Sequence, residues 1–249
     1  GDITSIQVTL VPNGQNKPYD GTTFATFTYT ISGILGSDAV DITGYSANFT
    51  DKTVGAGKTI NITDISLTGA DSSNYTIDAT SSTTGDILSV NLTLNATGNN
   101  KSYDDMVTAT FTYSLVGTIS GDIVDITGYT AEFTDQNIGT NKTINITNLS
   151  LTGADSSNYT IDPTSSTTAD ITTIALTLVP TGDNKPYDGL TTATFTYFLT
   201  GTLSGDIVDI TGYSANFTDK TIGTAKTINI TDLSLMGSDS SNYSINSTS

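Results

Sequence analysis

A lysine that recurs at one position of a repeated stretch is the first candidate for chemistry in this sequence. In β-domains of surface proteins that lack cysteine, a lysine can form an intramolecular isopeptide bond with an asparagine while a nearby carboxylate assists. The lysines at this position of the three copies are Lys17, Lys101 and Lys185, and the candidate partner asparagines are Asn74, Asn158 and Asn242.

The simpler interpretation of the same stretch is a turn, and we favour it. Pro18 fixes its own backbone φ, and Asp20 has a short side chain that accepts hydrogen bonds from nearby backbone N–H groups. Tyr19 then packs on the end of the domain. In the second copy, Asp105 stands where the other copies have glycine, which predicts a strained or aspartate-tolerant turn if this position has a positive φ.

Acidic residues form the second candidate group, because oxygen-rich loops between domains commonly bind calcium. The candidates are Asp20, Asp38, Asp41 and Asp71, with equivalents in each copy. The spacing of an EF-hand is missing, and the alternative is solvated aspartate that keeps an extracellular polymer soluble. Calcium is the one cofactor that we consider, and we expect no other.

Asparagines in Asn-x-Ser/Thr form the third group, and the sequence has 14 such sites. A sequence rich in Asn and Thr produces many of them by chance. Asn61 is the most persuasive, because it alternates with Ile60 and Ile62 and therefore points outward from a strand. The candidates for glycosylation are Asn61, Asn145, Asn229, Asn48 and Asn216. Asn74 is more typical of a structural turn.

Composition argues against several classes of function. The chain has no His and no Cys, which removes most transition-metal sites and the usual nucleophile–base pairs. Carboxylates are plentiful, but a glycosidase pair needs a cleft that small β-domains rarely hold, so we predict that the protein is not an enzyme. The net charge of −17 repels phosphate backbones and anionic lipid. We therefore expect no nucleic-acid partner and no membrane insertion by this segment.

A gapless period of 84 residues organises the whole chain. Asn16 to Asp20 returns at 100–104 and 184–188, and Gly69 to Tyr75 returns at 153–159 and 237–243. Fixed periods of this kind identify arrays. We place the repeats at 1–87, 88–171 and 172–249, where the third lacks its closing strand residues because Ser249 matches Ser81.

The pattern of apolar and polar residues in each repeat predicts β-strands. Residues 6–10 and 23–31 alternate in the period of a half-buried strand, and 40–42, 45–50 and 59–67 follow, with a change of phase at Asp64 that predicts a bulge or bend. Pro12-Asn13-Gly14 is expected to break the first strand. Short strands with frequent turns predict three tandem Ig-like β-sandwich domains, with compact β-grasp-like repeats as the alternative. The junction at 83–92 has no flexible linker, which predicts a stiff connection.

The motifs at 16–23, 49–55, 58–59 and 67–76 resemble the YDG-type repeat, which is related to MBG repeats, along the whole unit in all three copies. These repeats occur in tandem in large bacterial surface proteins, including filamentous-haemagglutinin-like adhesins. The resemblance implies an extracellular all-β stalk or filament segment without a catalytic site.

We therefore expect a structural segment of a long extracellular filament or stalk, located at the cell surface or in a secreted filament. Its partners are neighbouring repeats of the same chain or filament. One alternative is an adhesive module that binds a surface glycan or protein. Another is a subunit that donates the strand beginning Gly1-Asp2-Ile3 to its neighbour. We interpret the sequence as a window from a longer array in preference to such a subunit.

Overall fold

The computed structural model describes residues 1–248 and is built from β-strands, with no α-helix in that part of the chain. The helical elements there are three-residue 3₁₀ turns at Ser72–Asn74, Ser156–Asn158 and Ser240–Asn242. β-branched residues and Tyr fill the strands, as their preference for pleated, half-buried surfaces predicts. The prediction of an all-β tandem array is confirmed, while the finer choice between an Ig-like sandwich and a β-grasp-like repeat stays a prediction.

Repeat 1 contains ten strands. They are β1 (Ile6–Gln7), β2 (Thr9–Gly14), β3 (Lys17–Pro18), β4 (Phe27–Ser32), β5 (Asp41–Thr43), β6 (Ser46–Phe49), β7 (Gly55–Thr63), β8 (Ser66–Thr68), β9 (Tyr75–Thr76) and β10 (Ser81–Leu88).

Repeats 2 and 3 follow the same order. Repeat 2 contains β11 (Val90–Gly98), β12 (Lys101–Ser102), β13 (Phe111–Val116), β14 (Asp125–Thr127), β15 (Thr130–Phe133), β16 (Gly139–Thr147), β17 (Ser150–Thr152), β18 (Tyr159–Ile161) and β19 (Ser165–Thr172). Repeat 3 contains β20 (Ile174–Gly182), β21 (Phe195–Thr200), β22 (Asp209–Thr211), β23 (Ser214–Phe217), β24 (Ile228–Thr231), β25 (Ser234–Met236) and β26 (Tyr243–Ile245).

The closing strand β10 organises the main sheet of repeat 1, whose order is β3-β10-β7-β6. It runs antiparallel to β7, with Ser82 opposite Asn61, and parallel to β3, with Ile87 opposite Lys17. The equivalent sheet of repeat 2 is β12-β19-β16-β15, whereas repeat 3 has only the pair β23-β24 among its described residues. Among the described residues, the sheet of repeat 3 therefore has no strand equivalent to β10 or β3.

Two expectations about strand ends need correction or refinement. Pro12 does not end the first strand, since β2 continues to Gly14 with Pro12 opposite Tyr29. A proline is tolerated at a position where its missing N–H is not needed by a second neighbouring strand. The predicted change of phase at Asp64 is a turn with φ 59°, after which β8 leaves the main sheet and pairs with β5.

The chain forms two compact units, and their border passes through repeat 2. The first unit contains Gly1–Asn95, Leu115–Tyr129 and Leu149–Pro163, and the second contains Ala96–Ser114, Thr130–Asn148 and the residues from Thr164 onward. Each unit therefore contains one junction between repeats. The proposed repeat borders at 87/88 and 171/172 stay predictions.

Each unit has its own apolar core. In the first unit, Ile60 and Ile62 of β7 are fully buried beside Phe49 and Ile87, and Tyr159 of repeat 2 joins the same cluster. In the second unit, Ile230 and Phe195 belong to the equivalent cluster of repeat 3.

The strands at the junctions follow one another almost directly. Ser89 alone separates β10 from β11, and Thr173 alone separates β19 from β20. The prediction that the last strand of one repeat leads into the first strand of the next is confirmed.

Candidate functional site at the ends of the repeats

The recurring lysine lies in a turn at one end of each repeat. The Lys17 ammonium contacts Asp20 Oδ1 at 2.7 Å, donates to the Thr22 carbonyl oxygen at 2.9 Å, and lies 5.8 Å from the centre of the Phe49 ring. Asp20 also accepts the Thr22 backbone N–H at 2.9 Å, as the turn interpretation predicts. Desolvation raises the pKa of Asp20, but hydrogen bonds from Lys17 and Thr22 outweigh it, so the pKa lies below its ordinary value.

The same ion pair recurs in the other copies. Lys101 contacts Asp104 at 2.6 Å and Lys185 contacts Asp188 at 2.9 Å. These lysines therefore bind the aspartate three residues later. The isopeptide hypothesis, which pairs Lys17 with Asn74, Lys101 with Asn158 and Lys185 with Asn242, gains no support from these contacts.

The asparagines of that hypothesis lie at the opposite end of the repeat and serve the junction. Asn158, which is buried, accepts the backbone N–H of Val54 from repeat 1 at 2.9 Å. Asn242, also buried, accepts the N–H of Ile138 from repeat 2 at 3.4 Å. Asn74 is exposed. The asparagine of one repeat thus bonds the backbone of the preceding repeat.

A pair of tyrosines fills the junction between repeats 1 and 2. Tyr19 is 2% exposed, and its ring packs edge to face on that of Tyr159, with the ring centres 5.5 Å apart. The Tyr19 N–H donates to Leu88 at the end of β10. Tyr159 donates its hydroxyl hydrogen to Asp122 at 2.6 Å. Burial, followed by the nearby Asp122 carboxylate, raises the pKa of Tyr19 well above its ordinary value.

The junction between repeats 2 and 3 has the same arrangement with one added contact. Tyr103 is 3% exposed, and its ring centre lies 5.9 Å from that of Tyr243. Asp105 has φ 60° and accepts the Tyr103 hydroxyl at 3.2 Å, whereas the equivalent Gly21 has φ 76° and no such group. Burial and then Asp105 raise the pKa of Tyr103 to about 12. Asp105 thus has the positive φ on which the prediction of a strained or aspartate-tolerant turn depends.

The equivalent residues of repeat 3 are exposed in the part of the chain that the structure describes. Tyr187 is 67% exposed, and Ile222, the equivalent of Val54, is 87% exposed. Together with Lys185, Leu190 and Lys226, these residues line a groove of about 700 Å³. In repeats 1 and 2 this place is occupied by the second half of the closing strand, because Ile87 and Ile171 pair with the first residue of β3 and β12.

The candidate calcium ligands are not gathered into one site. Asp20 binds Lys17, Asp38 accepts the Tyr75 hydroxyl at 2.6 Å, and Asp41 accepts the Tyr29 hydroxyl at 2.6 Å. Asp71 accepts the Ala39 backbone N–H at 2.8 Å. Within residues 1–248 no group of three or more His, Cys, Asp or Glu side chains could hold a metal ion. Each of these carboxylates has a hydrogen-bond or ion-pair partner within its own repeat, and calcium binding gains no support from their positions.

The glycosylation candidates fall into two groups. Asn61, Asn145 and Asn229 are exposed, so the predicted outward orientation is confirmed. Asn48 and Asn216 are half-buried and bond neighbouring side chains: Asn48 accepts from Thr23 at 3.3 Å and donates to Ser46 at 3.0 Å. Glycosylation itself stays a prediction.

Sequence reasoning missed the role of Asn158 and Asn242 in joining the repeats. The signal was available, because the Ser-Ser-Asn-Tyr motif recurs in every copy. Recurrence could not tell an asparagine that closes its own turn from one that bonds the repeat before it.

No helix within residues 1–248 has the length and apolarity needed to cross a membrane. No curated protein and no solved structure matches the chain. The YDG domain matches it three times, over residues 4–84, 89–169 and 172–249, which is once within each repeat and nearly the full length. The resemblance noted in the motifs is thereby confirmed, and the chain belongs to the YDG domain family.

Proposed function

We propose that this chain is a structural segment of a long extracellular filament or stalk, in which each repeat is locked to the next. The observation that carries the proposal is the junction between repeats. It combines a strand connection of one residue with buried aromatic packing and a hydrogen bond to the preceding repeat.

The first junction illustrates how a linker is stiffened without a disulfide. Ser89 is the sole residue between β10 and β11, so the chain has little backbone freedom at this point. Tyr19 packs on Tyr159, and Asn158 accepts the Val54 N–H. A bend at this junction would expose the tyrosines and leave a half-buried N–H group without its acceptor, which is unfavourable.

The second junction repeats the same three contacts with Tyr103, Tyr243 and Asn242. Because both junctions use equivalent positions of the repeat, the arrangement can be continued over further copies. This property suits a spacer. The surface supports the same role, since the net charge of −17 keeps a long polymer soluble.

Small-angle X-ray scattering tests the stiffness that the proposal requires. We expect the chain to give one narrow distribution of interatomic distances. Insertion of a short Gly-Ser stretch between Leu88 and Val90 should broaden that distribution. The matched control is the same insertion between Gly36 and Ser37, an exposed loop within repeat 1. A natural chain as broad in its distribution as the junction insertion would contradict the proposal.

Location and adhesion need separate tests. Antibodies against the chain should label intact cells of the source organism without permeabilisation. The adhesive alternative predicts reproducible binding of the chain to one class of ligand on a glycan array, and a structural segment predicts none.

A further inference from the structure

We propose that an aromatic and acidic patch on the surface of repeats 1 and 3 binds arginine side chains of a basic polypeptide. In repeat 1 this tyrosine patch consists of Phe27, Tyr29, Asp41 and Tyr45. In repeat 3 it consists of the equivalent residues, which are Phe195, Tyr197, Asp209 and Tyr213. The inference adds a partner to the chain and does not depend on the proposed structural role.

The strands of one repeat bring the tyrosine patch together. Phe27 and Tyr29 lie two residues apart on β4, so their side chains share one face of the strand. Asp41 begins β5, and Tyr45 follows a turn at Gly44, whose φ is 66°. Glycine adopts this φ without steric cost. The patch is therefore positioned by strands and a tight turn.

The three rings of the patch are in contact with one another. In repeat 1 the ring centre of Phe27 lies 5.8 Å from that of Tyr29 and 5.0 Å from that of Tyr45. The corresponding distances in repeat 3 are 5.8 Å and 4.9 Å. Tyr45 is 45% exposed and Tyr213 is 46% exposed, so a ligand can reach each outer ring. Aromatic side chains of this kind are enriched at binding surfaces.

A fixed carboxylate lies beside the rings. The Tyr29 hydroxyl donates to Asp41 Oδ1 at 2.6 Å, and the Ile42 N–H donates to the same oxygen at 2.8 Å. Asp209 accepts the equivalent two bonds, at 2.6 Å and 2.7 Å. The bond from Tyr29 and then that from Ile42 lower the pKa of Asp41, so its carboxylate is ionised at neutral pH. Because both bonds are made by Oδ1, Oδ2 is the oxygen that a ligand can use.

No lysine within residues 1–248 balances the charge of this carboxylate. The ion pairs in that part of the chain use other aspartates, which are Asp20, Asp51, Asp104, Asp135, Asp188 and Asp219. The whole chain has 25 acidic residues and 8 lysines, which gives a net charge of −17. A cation is therefore the ligand whose charge complements the patch.

A guanidinium group fits both parts of the patch. The face of an aromatic ring attracts a cation, and an ionised carboxylate accepts strong hydrogen bonds from one. Arginine is planar and weakly hydrated, so it can stack on a ring while its N–H groups donate to a carboxylate. The exposed ring of Tyr45 and the Oδ2 atom of Asp41 provide these two contacts. A neutral ligand would gain only the stacking and an uncharged donor's hydrogen bond.

The same four residue types recur in repeat 2 as Phe111, Tyr113, Asp125 and Tyr129. Phe111 and Tyr113 belong to the second compact unit of the chain, whereas Asp125 and Tyr129 belong to the first. In repeats 1 and 3 all four residues lie within one unit. The inference is therefore confined to repeats 1 and 3.

Fluorescence anisotropy of a labelled peptide that alternates glycine and arginine tests the inference. Salt at about 0.15 M screens attraction between exposed charges more than about 8 Å apart. The matched peptide has citrulline in place of arginine, which keeps the shape of the side chain and removes its charge. We expect the arginine peptide to bind the chain and the citrulline peptide not to bind.

Removal of the outer rings separates the patch from general attraction to an acidic protein. The double variant Tyr45→Leu with Tyr213→Leu keeps an apolar side chain against Phe27 and Phe195, and it leaves the net charge unchanged. We expect the dissociation constant of the arginine peptide to rise at least about fivefold.

Removal of the carboxylates has its own matched control. Asp41→Asn with Asp209→Asn should also raise the dissociation constant at least about fivefold. Asp78→Asn with Asp162→Asn removes the same number of charges at exposed positions outside the patch, where repeat 3 has Asn246. This control should change the dissociation constant less than about twofold.

Three results would overturn the inference. They are no binding of the arginine peptide to the natural chain, equal binding of the citrulline peptide, and equal effects of the patch aspartates and the control aspartates. Thermal unfolding checks that each variant is folded. The asparagine variants preserve the shape of the patch, so they decide the question even if the leucine variant is unstable. Stiffness of the internal junctions is measured separately and does not depend on the outcome.

Discussion

The ends of repeats 1 and 3 carry the same residues in different surroundings. Tyr19 is 2% exposed and Tyr187 is 67% exposed, although both follow Asn-Lys-Pro and precede Asp-Gly. Repeat 1 has its closing strand and a following repeat, and the described part of repeat 3 has neither. The recurring turn is therefore buried where a closing strand and a following repeat lie against it, and it is exposed where the described residues include neither.

Substitution of the two tyrosines should give the largest difference between these ends. Tyr19→Ala removes a buried aromatic side chain and should destabilise repeat 1 by about 3–5 kcal/mol. Tyr187→Ala removes an exposed one and should change stability by no more than about 0.5 kcal/mol. Denaturant unfolding followed by hydrogen exchange in each repeat measures both. Equal effects would show that exposure in the structure does not govern the turn.

Substitution of two equivalent glycines, Gly14 and Gly182, measures the effect of the closing strand separately from that of the following repeat. A Cβ at Gly14 would lie 2.2 Å from the Thr84 carbonyl oxygen of β10, whereas a Cβ at Gly182 would meet only the end of the Ile228 side chain, at 2.6 Å. Gly14→Ala should therefore cost about 3 kcal/mol, since a backbone carbonyl must move. Gly182→Ala should cost about 1 kcal/mol or less, since a side-chain methyl group can rotate away.

Thermal unfolding of the two glycine variants, compared with the natural chain, decides this prediction. The local effect should appear as faster hydrogen exchange in β10 for Gly14→Ala alone. If Gly182→Ala were the more damaging change, the closing strand would not be the cause of the close approach.

Substitution of the junction asparagine Asn158 should have a smaller effect on the free energy of unfolding. Asn158→Ala leaves the half-buried Val54 N–H without its acceptor, which we expect to cost about 1–2 kcal/mol. Asn74→Ala changes the exposed equivalent and should be close to neutral. The distance distribution from X-ray scattering should broaden for Asn158→Ala and not for Asn74→Ala. Loss of stability without broadening would assign Asn158 to the fold of repeat 2 and not to the junction.

Alkaline pH should give the smallest and most specific effect. A hydrogen bond to Asp41 and then burial raise the pKa of Tyr29 to about 12. A hydrogen bond to Asp209 and then burial raise the pKa of Tyr197 to about 12. Burial and then a hydrogen bond to Asp105 raise the pKa of Tyr103 to about 12. The folded pKa lies above the ordinary value of 10.0, so the neutral tyrosines contribute stability that is full below pH 10. That contribution is lost as pH rises through about 12.

Absorbance of tyrosinate reports this titration cleanly, because the chain has no Trp. Asp105→Gly should lower the pKa of Tyr103 and make the second junction resemble the first. An unchanged titration in Asp105→Gly would show that burial alone, and not the aspartate, sets the pKa of Tyr103.

Much of the fold was accessible from the sequence. The period of 84 residues, the alternation at 6–10 and 59–63 and the absence of a flexible linker at 83–92 predicted an all-β tandem array with direct connections. Pro12 was misread as a strand break, because a sequence does not reveal which strand has a neighbour on one side only.

The junction was harder to predict. Tyr19 and Asn158 recur with their motifs, but their partners lie 140 and 104 residues away in another repeat. A pattern within one repeat cannot distinguish a contact inside that repeat from the equivalent contact to the next one. Isopeptide and calcium chemistry were attractive for the same reason, since Lys17 and Asp71 have local partners that only coordinates reveal.

Chemical nitration of the tyrosines in the dilute chain, measured by mass spectrometry, tests most directly whether the closing strand and the following repeat cover the ends of repeats 1 and 2. We predict rapid nitration of Tyr187 and protection of Tyr19 and Tyr103. Modification of all three tyrosines at similar rates would contradict this explanation, because it would mean that Tyr19 and Tyr103 at the internal junctions are as accessible to the reagent as the exposed Tyr187.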